Sequence, residues 1–239
     1  MPAQINHIIF GEEALDQALG PDGKALLNQY GNIFRFGTQG PDFFYHNQRT
    51  KPAGLKYGFA AHKEGYGRIV KNMVLQALRL RRRGQPSETL AMLNAYILGF
   101  TSHAFLDKKT HPYILYFSGW VITGEEETRK YFRCHAFLER ILDVLILNIR
   151  RGLDIKEFSL LPLVSCGEKL PYPIIKTLLK GLHASYPGMH FKSRDRRRIE
   201  NAYKDTIYFY TVTDPLNPLY RQMAFARDQR AGDNRRRLA

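Results

Sequence analysis

The sequence predicts an all-α fold, a single-domain multi-helix bundle. Three observations predict it. Apolar residues recur at helical spacing along most of the chain, while the polar/apolar alternation between turn dipeptides that marks strands does not recur. Glycines stand where helices should stop, at Gly84 and Gly152. No internal repeat, low-complexity segment or Gly/Ser-rich linker divides the chain, and 239 residues, 44% hydrophobic and 13% aromatic, suffice to bury one substantial core.

Taken in order, residues 12–19 predict a short first helix and 23–34 a second that ends before Phe36-Gly37. Residues 37–58 carry Gly37, Gly40, Pro41, Pro52, Gly54 and Gly58 and read as one long irregular stretch, a length of loop that tends to be functional. Residues 60–83 predict a helix bent near Gly65 and Gly67, with Ile69, Met73, Leu75, Leu78 and Leu80 inward. Ser87 is the expected cap of a central helix that runs to Asp107. A longer helix is expected from Thr123 or Gly124, with Glu125, Glu126 and Glu127 in a first turn whose dipole favours them, and with Gly152 past its end. After a proline-containing segment at 162–173, helices at 173–185, 196–211 and 216–227 complete a domain spanning 1–227, and 228–239 form a basic flexible tail.

A net charge of +14 favours an anionic partner: a phosphate substrate, an acidic lipid surface or nucleic acid. Arg79 and Arg81 to Arg83 end a helix and suit its dipole, whereas Arg194 and Arg196 to Arg198 open one, gain nothing from it, and are the better candidates for anion contact. Cys134 and Cys166 are the only cysteines and form no Cys-x-x-Cys pair, so any metal must use His, Asp and Glu. The N-terminus shows no secretory pattern, and no stretch approaches about 20 uninterrupted apolar residues. The expectation is a soluble, cytoplasmic protein without a transmembrane segment.

The central helix offers His103 and Asp107 one turn apart on one face, the spacing that presents an imidazole and a carboxylate to one cation. His111 follows a turn later. Pro112 biases it out of the helix, so it is expected to end the helix and turn toward a second metal. His135 and Glu139 repeat the spacing in line with Leu142 and Ile146. An unpaired polar group buried on such a face costs about 2–7 kcal/mol, and a metal is one partner that removes the cost. Either pair alone reads as an ordinary buried or surface pair. Two of them, with His111 between, favour a metal centre. His7, Asp42 and His62 are the remaining polar candidates.

At these residues the chain resembles the bacterial zinc-dependent phospholipase C family, whose wider superfamily includes zinc-dependent single-strand-specific nucleases. The family's ligand order is an early His, an Asp in a Gly-Pro-Asp-like loop, a His, a His-x-x-x-Asp helix with a further His, and a His-x-x-x-Glu helix. Here that order falls on His7, Asp42, His62, His103, Asp107, His111, His135 and Glu139, within roughly the first 140 residues. The resemblance implies an all-α bundle with a zinc cluster at the base of a cleft. It places one zinc with Asp42, His62, His103 and Asp107, a second with His111, His135 and Glu139, and a third with His7 and a shared Asp107. Asp42 is then both ligand and candidate general base.

Two departures bear on this. Secreted members begin with a Trp whose amino group and carbonyl complete the third site, whereas Met1-Pro2 and six residues in all precede His7 here, so two or three zinc ions are expected. The Asp107-to-His111 interval is also two residues shorter than in those enzymes. His46 is open to three readings: a further ligand, a support for a ligand, or a loop histidine. Tyr45, Phe43 and Phe44 either line the cleft mouth or anchor the loop, and His183 and His190 read as ordinary.

Imidazole and carboxylate ligands without thiolates suit a zinc that keeps an open position for water. The expected function is a phospholipase C-like, metal-dependent hydrolase of phosphate esters. Its expected partners are a phosphodiester, a phospholipid first, and an anionic membrane surface. A nuclease or small-molecule phosphodiesterase, and a non-catalytic metal-stabilised binding protein, are the alternatives.

Overall fold

The computed structural model describes residues 4–49, 53–189 and 194–219. Its α-helices are α1 (Gln4–Leu19), α2 (Pro21–Thr38), α3 (Ala53–Lys63), α4 (Tyr66–Arg82), α5 (Ser87–Ser118), α6 (Cys134–Arg151), the single turn α7 (Leu161–Val164), α8 (Tyr172–Ser185) and α9 (Asp195–Val212). Three 3-10 segments, Gly40–His46, Glu126–Tyr131 and Ile155–Glu157, join them. No strand occurs among the described residues, as an all-α fold requires.

α5 is the spine. It packs along α2 and also meets α1, α4, α6, α8 and the 3-10 segment Gly40–His46. The α2–α5 crossing is close because both backbones lack side chains there. A Cβ on Gly99 would lie 2.2 Å from the Phe34 carbonyl oxygen, and one on Gly37 would lie 2.6 Å from that of Tyr96. This approach delivers the C-terminal end of α2 to His103. Beside it an aromatic core of Phe36, Phe43, Phe44, Tyr96, Phe100 and Tyr203 is almost wholly buried. α5 is long and apolar enough to cross a membrane by length and composition, but its contacts on five helices make it the core helix of the bundle.

Several boundaries differ from expectation. α1 begins at Gln4 rather than 12, because the signal that starts it is not local: Asp143 on α6 accepts hydrogen bonds from the Ile5 and Asn6 amides at 3.1 and 2.8 Å. Residues 37–58 are not irregular, since they hold the buried segment Gly40–His46 and the start of α3. On α4 the inward residues are Ile69, Met73, Gln76 and Ala77, while Leu75 and Leu78 are 40% and 43% exposed. Ser87 does not cap α5; it is the first helical residue, preceded by Pro86 in an extended conformation.

α5 also runs straight through Pro112 to Ser118. Pro112 deprives the Lys108 carbonyl of its helical donor, but both residues are exposed, so water can take that place. The helix expected from 123 or 124 is split instead. The Thr128 hydroxyl accepts from the Ile122 amide at 2.9 Å and donates to the Glu125 carbonyl at 2.7 Å. That closes a compact turn, and Arg133 at φ 66° precedes α6. Two of the arginines opening α9 pair within the helix, Arg198 with Asp195 at 2.6 Å and Arg196 with Glu200 at 2.7 Å, while Arg194 and Arg197 are exposed. Of the helix expected at 216–227 only 216–219 are described, and the 228–239 tail and His190 lie outside the described residues.

The Asp143 bonds give a direct prediction. Asp143→Ala strips two amides at the start of α1 of their acceptor and is expected to cost about 1–2 kcal/mol, read as a lower urea midpoint at unchanged m-value. An unchanged midpoint would show that water replaces the carboxylate at no cost.

Candidate metal centre

Five elements converge on one end of the core. α1 supplies His7, the Gly40–His46 segment Asp42, α3 His62, α5 the row His103, Asp107 and His111, and α6 the pair His135 and Glu139. All eight candidate residues therefore meet, in three groups whose ligand atoms lie within 4.8 Å of one another: His7, His103 and Asp107; Asp42, His62 and His103; and His111, His135 and Glu139.

Asp107 is the hub. Its oxygens face His7 Nε2 at 3.3 Å, His62 Nε2 at 3.7 Å, His103 Nε2 at 3.3 Å and His111 Nε2 at 3.8 Å. Asp42 lies 3.0 Å from His62 Nε2 and 3.9 Å from His103 Nε2. Glu139 lies 3.0 Å from His135 Nε2 and 3.7 Å from His111 Nε2. Because α5 continues past Pro112, His111 faces Glu139 from within the helix rather than from its end. His103 also stacks on His7 at 4.0 Å between ring centroids, so it belongs to two groups and not to one.

The supports behind these side chains fix which nitrogen faces the centre. His103 Nδ1 donates to the Thr38 carbonyl at 3.0 Å, and His62 Nδ1 has the Gly58 carbonyl at 2.8 Å and the Tyr45 hydroxyl at 3.0 Å. Each neutral ring then turns its Nε2 lone pair toward carboxylates. Gly40 permits this. At φ +53° it is in the left-handed region, and a Cβ there would sit 2.3 Å from the His103 ring.

Without a metal, protons must balance the charge. Burial works to lower His62, but the Asp42 carboxylate outweighs it and raises His62 to about 9. His103 is likewise raised, the charges of Asp42 and Asp107 overcoming burial. Burial opposes ionisation of Glu139 and Asp107, yet hydrogen bonds from His111 and His135 hold Glu139 down to about 2, and His103 keeps Asp107 low as well. His7 is lowered, by burial first and then by His103. This is a cluster built for net positive charge from some source. His103 Nε2 and Glu139 Oε2 are buried with no well-formed hydrogen bond among the described residues, and Asp42 Oδ1 has only its pairing with His62.

The groups open into a cavity of about 470 Å³ walled by Tyr45, Leu115, Trp120, Arg133, His135 and Ala136. Trp120 stands 61% exposed at its margin. Phe43 and Phe44 are wholly buried and anchor their segment instead, whereas Tyr45 does reach the site. His46 is buried against Phe209 and Tyr210, outside the three groups, and burial lowers its pKa to about 4. His183 pairs with Asp195 at 3.3 Å, also outside those groups.

Sequence reasoning overlooked Asp143, though it extends the His135–Glu139 spacing by one more turn. The buried line on α6 is Glu139, Asp143 and Leu147, with Leu142 and Ile146 to its side. The Thr38 and Gly58 carbonyls carry no side-chain signal and could not have been found.

The chain has no significant match among curated proteins or among solved structures. Residues 6–193 do match the family described as zinc dependent phospholipase C. That span begins one residue before His7 and passes well beyond Glu139, so it takes in the whole constellation, and the chain belongs to the zinc-dependent phospholipase C family of hydrolases.

Proposed function

We propose that the protein hydrolyses the glycerol–phosphate bond of a phospholipid, using two or three zinc ions held by His7, Asp42, His62, His103, Asp107, His111, His135 and Glu139. The observation that carries this reading is His103. Its Nε2 is buried and faces two carboxylates, Asp107 at 3.3 Å and Asp42 at 3.9 Å, whose lone pairs repel its own unless a proton or a metal ion lies between them. The donor set is all imidazole and carboxylate, which fits zinc with an open position.

Zinc held there supplies Lewis acidity toward the phosphate and lowers the pKa of a water to about 7. The protein's own groups do the rest. Asp42, whose carboxylate stands on the cavity wall beside His62, accepts the proton of the attacking water. Arg133 brings positive charge to the cavity wall and attracts the phosphate. Tyr45, with its hydroxyl on His62 and its ring on the cavity wall, positions that imidazole.

Elemental analysis and a phosphodiesterase assay test this together. The wild type is expected to carry two or three equivalents of zinc and to release phosphorylated headgroup from phospholipid. Asp42→Asn is expected to keep most of the zinc while turnover falls about 10²–10⁴-fold. A zinc-free protein that takes up none on reconstitution, or an Asp42→Asn variant of full activity, would sink the reading. Activity on single-stranded nucleic acid that falls steeply with salt would move the substrate away from lipid.

A further inference from the structure

Asp107 and Glu139 line a second cavity, of about 600 Å³, which shares these two carboxylates with the first cavity and none of its other walls. It lies between α1, α5 and α6. Its apolar walls are Ile9, Phe10, Leu106, Ile114, Leu142 and Ile146. Thr110 also lines it, but its hydroxyl turns back to the Leu106 carbonyl at 2.9 Å and leaves the cavity one polar group fewer. Polar groups otherwise gather where His7, Asp107 and Glu139 stand and where Arg150 pairs with Glu13 at 2.6 Å. That ion pair neutralises itself, and Asn6 and the exposed Lys109 are the remaining polar residues of the lining.

The size is that of a ligand site, and most of the lining is apolar, Phe10 and Tyr113 adding rings to the aliphatic walls. Along α6, Glu139 to Arg150 rises about 16 Å, the length of an extended chain of roughly a dozen atoms. A small soluble phosphodiester would leave these walls wet.

We propose that this second cavity receives an acyl chain of the substrate, whose headgroup lies in the first cavity, the two meeting at the boundary that Asp107 and Glu139 form. The proposal rests on the phospholipid-hydrolase reading above and adds a separate chain-length determinant to it. On this view Leu142 and Ile146, the α6 residues beside the ligand line, set which lipids fit.

The test uses the zinc-loaded full chain and phosphatidylcholines with matched acyl chains of four to eight carbons, each assayed as monomer. For the wild type, kcat/KM is expected to rise with length by up to about fourfold per added buried methylene until the cavity is full. Ile146→Trp, which fills the cavity, is expected to flatten that rise. Leu142→Ala, which enlarges it and loosens the grip on each methylene, is expected to lower the gain per methylene without removing it, a graded change that simple misfolding cannot produce. A folded, zinc-loaded Ile146→Trp protein with the wild-type slope would overturn the proposal, as would a wild type that cleaves all lengths equally while still acting as a phospholipase. A zinc-loaded wild type that cleaves none of the series would overturn the hydrolase reading and this inference with it.

Discussion

His103→Ala is expected to lower hydrolysis on the order of 10³-fold and to remove at least one equivalent of zinc, with the helical content of the chain preserved. The size of the effect follows from position. His103 is wholly buried, belongs to two of the three ligand groups, and stacks on His7. Removing its ring leaves Asp42 and Asp107 facing a void with one positive partner fewer, and leaves the Thr38 carbonyl without its donor. A Glu139→Ala variant disturbs a group that shares no residue with those of His103, so it is expected to lose a different part of the zinc. Zinc per chain, circular dichroism and turnover measured on the same preparation read these effects separately. Activity within twofold of wild type in His103→Ala would refute the assignment.

What the sequence disclosed, and what it hid, divides along the range of the interaction. His103 with Asp107 and His135 with Glu139 were legible because a helix repeats its face every three to four residues, so ligand spacing is a local property. His7, Asp42 and His62 have no such spacing to one another. Only the resemblance assigned them to one site, and the fold brings them together by packing α1 and the Gly40–His46 segment on α5 and α3 on that segment. The start of α1 was misread because its acceptor, Asp143, stands 138 residues away from Ile5. Pro112 misled for the opposite reason. Its local rule is sound, but a solvent-exposed carbonyl one turn earlier lets the helix ignore it. Gly40 was visible as a glycine, while its purpose, to leave room for the His103 ring, exists only once α5 is in place.

Stripped of metal by a chelator, the protein is expected to melt about 10 °C below its zinc-loaded form at pH 8, with the gap narrowing toward pH 5. Protons and zinc compete for the same imidazole nitrogens, and the direction of that competition follows from the pKa values. His62 moves from 6.5 in the unfolded chain to about 9, so in the chelated protein its protonation contributes stability fully below pH 6.5, a contribution lost as pH rises through about 9. The loss is on the order of 2 kcal/mol, and His103 and His111 add to it in the same direction. Glu139 behaves oppositely. Held at about 2 against 4.5 unfolded, it stabilises above pH 4.5 and loses that contribution only as pH falls through about 2. It therefore stays ionised between pH 5 and 8 and keeps its need for a cation throughout. At pH 5 protons on the imidazoles meet that need, and zinc must displace them to bind. At pH 8 fewer protons are available and zinc takes their place at little cost. Thermal melts with chelator and with excess zinc, from pH 5 to 9, would show the gap widening as pH rises. Coincident melts at pH 8, or a gap that widens toward acid, would mean that these eight residues do not hold the ion.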